Sequence, residues 1–134
     1  MPVPRGRAPP RQSRRRICII DDDEWVADSL KSLLETFGFV VQSYNSGTHL
    51  LADHQRRSMG CLIIDHHMPG INGLDIVERL QEEEIRLPTI LISARLDTNT
   101  RARAANLGIA GVIEKPFAAN HLIDLIRAAL LEHD

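Results

Sequence analysis

Carboxylates, one hydroxyl and one amine stand in this chain where chemistry can be concentrated. Asp21-Asp22-Asp23 follows the apolar run Ile17-Cys18-Ile19-Ile20, Asp65 follows Cys61-Leu62-Ile63-Ile64, Ser93 follows Thr89-Ile90-Leu91-Ile92, and Lys115 comes just after Val112-Ile113. Short apolar runs bounded by polar residues read as buried strands of a parallel sheet. Parallel strands bring their carboxyl ends to one edge, where open α/β sheets bind ligands. Residues far apart in sequence then meet in one pocket of several carboxylates and one ammonium. Carboxylates packed together repel and resist ionisation, so such a site calls for a cation. Mg2+ fits, as a hard ion that takes oxygen ligands and often shares a phosphate. An EF-hand loop is excluded, because its acids alternate and these are contiguous.

Each signal is weak alone. An Asp run after a strand often caps a helix, and Asp23 is placed to do so. An Asp before a Pro-Gly loop is often a turn residue. Lys115-Pro116 reads as a tight turn, in which a cis bond would aim the lysine back across the sheet edge. The conjunction, at the ends of strands one, three, four and five, is what points to a site.

The positioning elements alternate. Strands are predicted over 17–20, 40–43, 61–64, 89–92 and 109–113, and helices over 24–36, 47–54, 72–83, 98–107 and 118–131. Val26, Leu30, Leu33 and Leu34 line one face of the first helix, which Gly38 stops. Ser46 is placed to cap the second helix. Leu74, Ile76, Val77 and Leu80 line the third, and Leu122, Ile123, Ile126, Ala129 and Leu130 the fifth. Five such strand–helix units imply right-handed crossovers and helices on both faces of a parallel sheet.

The 134 residues suit one domain with one core. Residues 1–15 read as a disordered basic tail and 16–134 as that domain. Residues 1–16 hold six Arg and no acid, while the rest carry ten basic and eighteen acidic residues, a formal charge of −8. An acidic body argues against a DNA-binding domain, although the Arg-rich tail leaves a nucleic-acid or acidic partner open. No apolar stretch approaches the ~18–20 residues of a membrane span, and the N-terminus lacks the apolar segment of a secretory signal. Cys18 and Cys61 read as buried free thiols in a reducing cytoplasm, with no zinc-ligand spacing.

Four stretches, Ile19-Ile20-Asp21-Asp22-Asp23-Glu24, Asp65-His66-His67-Met68-Pro69-Gly70-Ile71-Asn72-Gly73, Ile90-Leu91-Ile92-Ser93-Ala94 and Ile113-Glu114-Lys115-Pro116-Phe117, resemble the receiver domain of two-component response regulators, close to the FixJ type. The resemblance covers about residues 16–132. It implies a flavodoxin-like (βα)5 doubly wound sheet of strand order 2-1-3-4-5. It implies Asp65 as phosphoacceptor, and Asp21, Asp22, Asp65 and the His67 backbone carbonyl as Mg2+ ligands. Ser93 matches the phosphoryl-binding hydroxyl, Ala94 the small residue that leaves the phosphoryl room, and Lys115 the lysine that pairs with its oxygens. The implied donor is a sensor histidine kinase or histidine phosphotransfer protein, and the implied output is contact with a downstream protein, a phosphorylation-dependent dimer among the options. The chain's stop at His133-Asp134 gives the expectation of a single-domain, cytoplasmic regulator that is no conventional enzyme yet catalyses its own phosphorylation and dephosphorylation.

Two departures stand out. Val112 occupies the strand-five position where the family's switch has an aromatic residue, three before the lysine, so the aromatic switch is absent. His66 and His67 read as solvent-facing loop residues, with a weaker reading in which His67 tunes phosphoryl lifetime. Trp25, expected partly exposed at the start of helix one, should report metal binding by fluorescence. Arg95, Arg101 and Arg103 read as solvated helix charge. Three rival functions stay open at this point: a phosphorylation-independent interaction module, an Asp-nucleophile phosphohydrolase, and a nucleic-acid binder acting through the tail.

Overall fold

The structure is a computed structural model that describes residues 16–53 and 59–132. The elements follow in the order β1 (Arg16–Ile20), α1 (Glu24–Thr36), β2 (Val40–Tyr44), α2 (Gly47–Ala52), β3 (Cys61–Asp65), α3 (Gly73–Glu82), β4 (Thr89–Ser93), α4 (Thr98–Asn106), β5 (Gly111–Glu114) and α5 (Ala119–Glu132). All strand pairs are parallel and the order is β2-β1-β3-β4-β5, as the resemblance implies.

Side chains alternate across the sheet and feed two apolar layers. Ile17, Ile19, Cys61, Ile63, Ile90, Ile92 and Ile113 pack against α1 and α5. Cys18, Ile20, Leu62, Ile64 and Leu91 pack against α2, α3 and α4. Strands β3 and β4 are buried along their whole length, which is why they read as unbroken apolar runs. Each fully buried Ile or Leu contributes roughly 1.5–3 kcal/mol. The register sets Ile20 beside Ile64, Asp65 beside Ile92 and Ser93 beside Glu114, so the four strand ends that carry the chemistry lie level.

Two helices begin on the expected caps, and α3 begins on Asn72, which the sequence reading places inside the helix. Asp23 caps α1, Ser46 caps α2, and Asn72 with Asp75 forms a capping box on α3. Gly38 and Gly108 close α1 and α4 at positive φ, where a Cβ would be strained. The same place after α3 is held by Glu84 at φ 62°.

Boundaries shift where backbone groups find other partners. β5 starts at Gly111 rather than 109, because the Ile109 N–H closes the end of α4 by donating to the Ala104 carbonyl. α2 ends at Ala52 on Asp53, and residue 54 lies outside the described residues. Leu33 is only half-buried; Ala27, which the stripe left out, takes the place beneath α1. The basic tail, residues 1–15, lies outside the described residues.

Candidate functional site

Asp21 leaves the end of β1 and is buried, with its Oδ1 accepting the Asp23 N–H at 2.9 Å. Asp22 beside it is exposed. Asp23 is spent on its helix: its Oδ1 accepts from the Trp25 and Val26 N–H groups at 3.0 and 3.3 Å. Asp65 ends β3, also buried; its Oδ1 accepts the His67 N–H at 3.3 Å, and its Oδ2 lies 3.9 Å from Lys115 Nζ. Carboxylate oxygens of Asp21, Asp22 and Asp65 all lie within 4.8 Å of one another. Burial pushes the Asp21 carboxyl above the usual carboxylate range; the charges of Asp65 and Asp22 add to the rise, while the Asp23 N–H and Lys115 oppose it. Converging hard oxygens, part-buried and mutually repelling, fit a hard divalent cation such as Mg2+.

Lys115 reaches the site from the end of β5. Its N–H donates to the Ser93 carbonyl at 2.9 Å, and its peptide bond to Pro116 is cis. Ser93, fully buried at the end of β4, directs its Oγ to three partners: the Arg95 carbonyl at 2.7 Å, the Arg95 N–H at 3.1 Å and His67 Nε2 at 2.8 Å. Ala94 next to it is exposed.

The loop after Asp65 is folded tightly. The His66 carbonyl accepts from Met68 and Gly73 N–H groups at 3.2 and 3.3 Å, and the His67 carbonyl takes neither of these bonds. Gly73 permits the close approach, since a Cβ there would sit 3.0 Å from the Asp65 carbonyl oxygen.

The histidine pair corrects the sequence reading. His67 is exposed overall, yet its ring reaches back to bond Ser93. His66 is half-buried, packs edge-on against His67 with ring centroids 5.0 Å apart, and holds Nδ1 buried with no hydrogen-bond partner. Burial lowers its pKa below the usual histidine range, with His67 and Arg103 adding to the effect. Arg103 is likewise no idle surface charge, since it lies 2.8 Å from an Asp75 carboxylate oxygen. Glu114 also has a partner that sequence gave no sign of: its Oε2 accepts the Leu96 N–H at 3.0 Å. Trp25 is 85% exposed beside the acidic cluster. Val112 is half-buried and packs on the α3–α4 side of the sheet, consistent with a core-filling role.

The response regulator receiver domain family matches residues 17–127. Response regulator protein TodT of Pseudomonas putida is 38% identical over 114 residues, which are 85% of this chain and 50% of TodT. Transcriptional regulatory protein FixJ of Bradyrhizobium diazoefficiens is 30% identical over 118 residues, 88% of this chain and 58% of FixJ. The chain thus spans about half the length of the curated relatives it matches. Among solved structures, FixJ-N superposes with a TM-score of 0.80 at 31% identity, over 89% of this chain and 94% of that one. A CheY-like receiver domain protein from Methanospirillum hungatei has the same fold, with a TM-score of 0.81 at 24% identity over 88% of this chain and 94% of that one.

Proposed function

This chain belongs to the response regulator receiver family, and from that premise we propose that Asp65 is its phosphoacceptor in a two-component pathway. The observation that carries the reading is the meeting of Asp21, Asp22 and Asp65 oxygens within 4.8 Å, with Lys115 Nζ 3.9 Å from Asp65. The donor is a sensor histidine kinase or a histidine phosphotransfer protein. One Asp65 carboxylate oxygen attacks phosphorus, the P–N bond to the donor imidazole breaks, and the imidazole keeps that electron pair and takes up a proton. Lys115 and the Ser93 hydroxyl stabilise charge on the phosphoryl oxygens during transfer. Exposed Ala94 leaves that face open. Asp21, Asp22, Asp65 and the His67 carbonyl would hold Mg2+, which when bound offsets the crowded negative charge. Reset is hydrolysis: water attacks phosphorus, the bond to the Asp65 oxygen breaks, and the carboxylate returns with inorganic phosphate released.

The output is a change in a protein-contact surface. The receiver unit is residues 16–134, and the downstream partner is a protein that reads its contact surface. Within a longer protein of the relatives' kind, the same change would act on the attached portion. Among the described residues no helix is long and apolar enough to cross a membrane. Two buried reduced thiols accord with a cytoplasmic setting.

Intact mass after incubation with acetyl phosphate tests the reading. Wild type should gain one phosphoryl group only with Mg2+, and Asp65→Asn should gain none. A gain that persists in Asp65→Asn would move the acceptor elsewhere. No gain in wild type would favour an interaction module that works without phosphorylation.

A further inference from the structure

We propose that Asp23 is a positioning residue for the metal site: by capping α1 it fixes its own backbone N–H as the hydrogen bond that aims the Asp21 carboxylate. The proposal rests on the reading of Asp21, Asp22 and Asp65 as Mg2+ ligands, and it divides the labour within a run of three identical residues.

Asp23 is pinned at its side chain and at its carbonyl. Its Oδ1 accepts from the Trp25 and Val26 N–H groups at 3.0 and 3.3 Å, and its carbonyl accepts the Ala27 N–H at 3.0 Å. The side-chain bonds satisfy amides that the first turn of a helix leaves without partners. Together these bonds set the backbone of residue 23, which is extended at φ −93° and ψ 106°. In that setting its N–H turns back along the chain and donates to Asp21 Oδ1 at 2.9 Å. Asp21 is also held by its own N–H, which donates to the Tyr44 carbonyl of β2 at 3.2 Å. Two elements, β2 and α1, thus fix the backbone and the carboxylate of this one residue.

Orientation matters at such a site. The oxygens of Asp21, Asp22 and Asp65 lie within 4.8 Å of one another, and Asp23 stands outside that group. Mg2+ demands near-octahedral geometry, so each carboxylate must present an oxygen in one direction. Outer-shell hydrogen bonds that orient a ligand are worth roughly 10–100-fold in metal affinity. The bond to Asp21 comes from backbone and survives any side chain at 23, but the cap that steadies that backbone does not.

Calorimetric titration of the full chain with Mg2+ tests this. Trp25 donates one of the capping bonds, so its fluorescence would move with the cap itself, and heat is the cleaner readout. Asp23→Asn loses the charge and keeps a cap, whereas Asp23→Ala loses both. Asp23→Ala should bind Mg2+ about tenfold more weakly than Asp23→Asn. Asp23→Asn should stay within about threefold of wild type at physiological salt, where an exposed charge is largely screened. Ser46→Ala removes the corresponding cap from α2; it should lose comparable stability in urea and keep wild-type Mg2+ affinity. Equal affinities for Asp23→Ala and Asp23→Asn overturn the proposal. So does a Ser46→Ala protein weakened as much as Asp23→Ala, which would make the effect one of general loosening. A wild type that binds no Mg2+ sinks the metal reading itself, and the proposal with it.

Discussion

Two neighbouring helices on one side of the sheet are built on opposite principles. α3 buries Gly73, Leu74, Ile76, Val77 and Leu80, and a Cβ on its first residue would sit 3.0 Å from the Asp65 carbonyl oxygen, a tight contact with backbone. α4 buries Ala104 and is tied to its surroundings by part-buried polar contacts. The loop leading into α3 carries the neighbours of Asp65, His66 and His67; the loop leading into α4 follows Ser93. Tight apolar packing thus lies beside Asp65, and looser polar packing beyond Ser93.

The contrast can be broken at several points. Ile76→Ala should cost about 3 kcal/mol, as deletions in tight cores do, whereas Ala104→Gly should cost about 1 kcal/mol, mostly helix propensity. Urea midpoints measure both, and near-equal losses would erase the distinction. Gly73→Ala should cost about 2 kcal/mol, because the new Cβ meets backbone rather than a yielding side chain. Thermal melts should show this as a drop of roughly 8 °C, and an unchanged melt would mean that α3 can slide.

The end of α3 tests the contrast with the opposite sign. Glu84→Gly should stabilise by about 0.5 kcal/mol, since glycine relieves the positive φ but is freer when unfolded. A loss of stability would show that the Glu84 side chain matters there. The smallest effect belongs to the strut between the helices. Hydrogen bonding from Arg103 holds the Asp75 carboxyl below the usual carboxylate range. A depressed folded pKa contributes stability above the unfolded value, and the contribution disappears as pH falls through the carboxylate range. Both side chains are more than a third exposed, so the pair is worth about 0.3 kcal/mol after solvent screening. Arg103→Ala should therefore lag wild type slightly at neutral pH and equal it in strong acid. A gap that persists in acid would assign Arg103 a packing role.

Much of this arrangement is legible in the chain itself. Ile17-Cys18-Ile19-Ile20 and Cys61-Leu62-Ile63-Ile64 announce buried parallel strands, and Asp21, Asp65, Ser93 and Lys115 inherit their convergence from strand direction alone. Local capping is legible too, because Asp23 and Ser46 act within one helical turn. The contacts of His67 with Ser93, Glu114 with Leu96 and Arg103 with Asp75 are not. Each joins polar side chains or backbone groups from separate loops and helices, and no periodicity records where a side chain's tip comes to rest. The start of β5 was missed for a related reason: Ile109 looks like strand by its type, but its N–H is claimed by the helix before it.

The strand alternation has a chemical consequence at the two thiols. Cys18 and Cys61 sit on adjacent strands one register step apart, both fully buried, but on opposite faces of the sheet. They cannot join in a disulfide without tearing the sheet. Burial raises both thiol pKa values, Cys61 to about 12, so neither supplies thiolate to a reagent while the fold is closed. Alkylation of Cys18 then times the opening of the layer containing α3 and α4, and alkylation of Cys61 times the layer containing α1 and α5. The molecule carries two built-in clocks, one on each side.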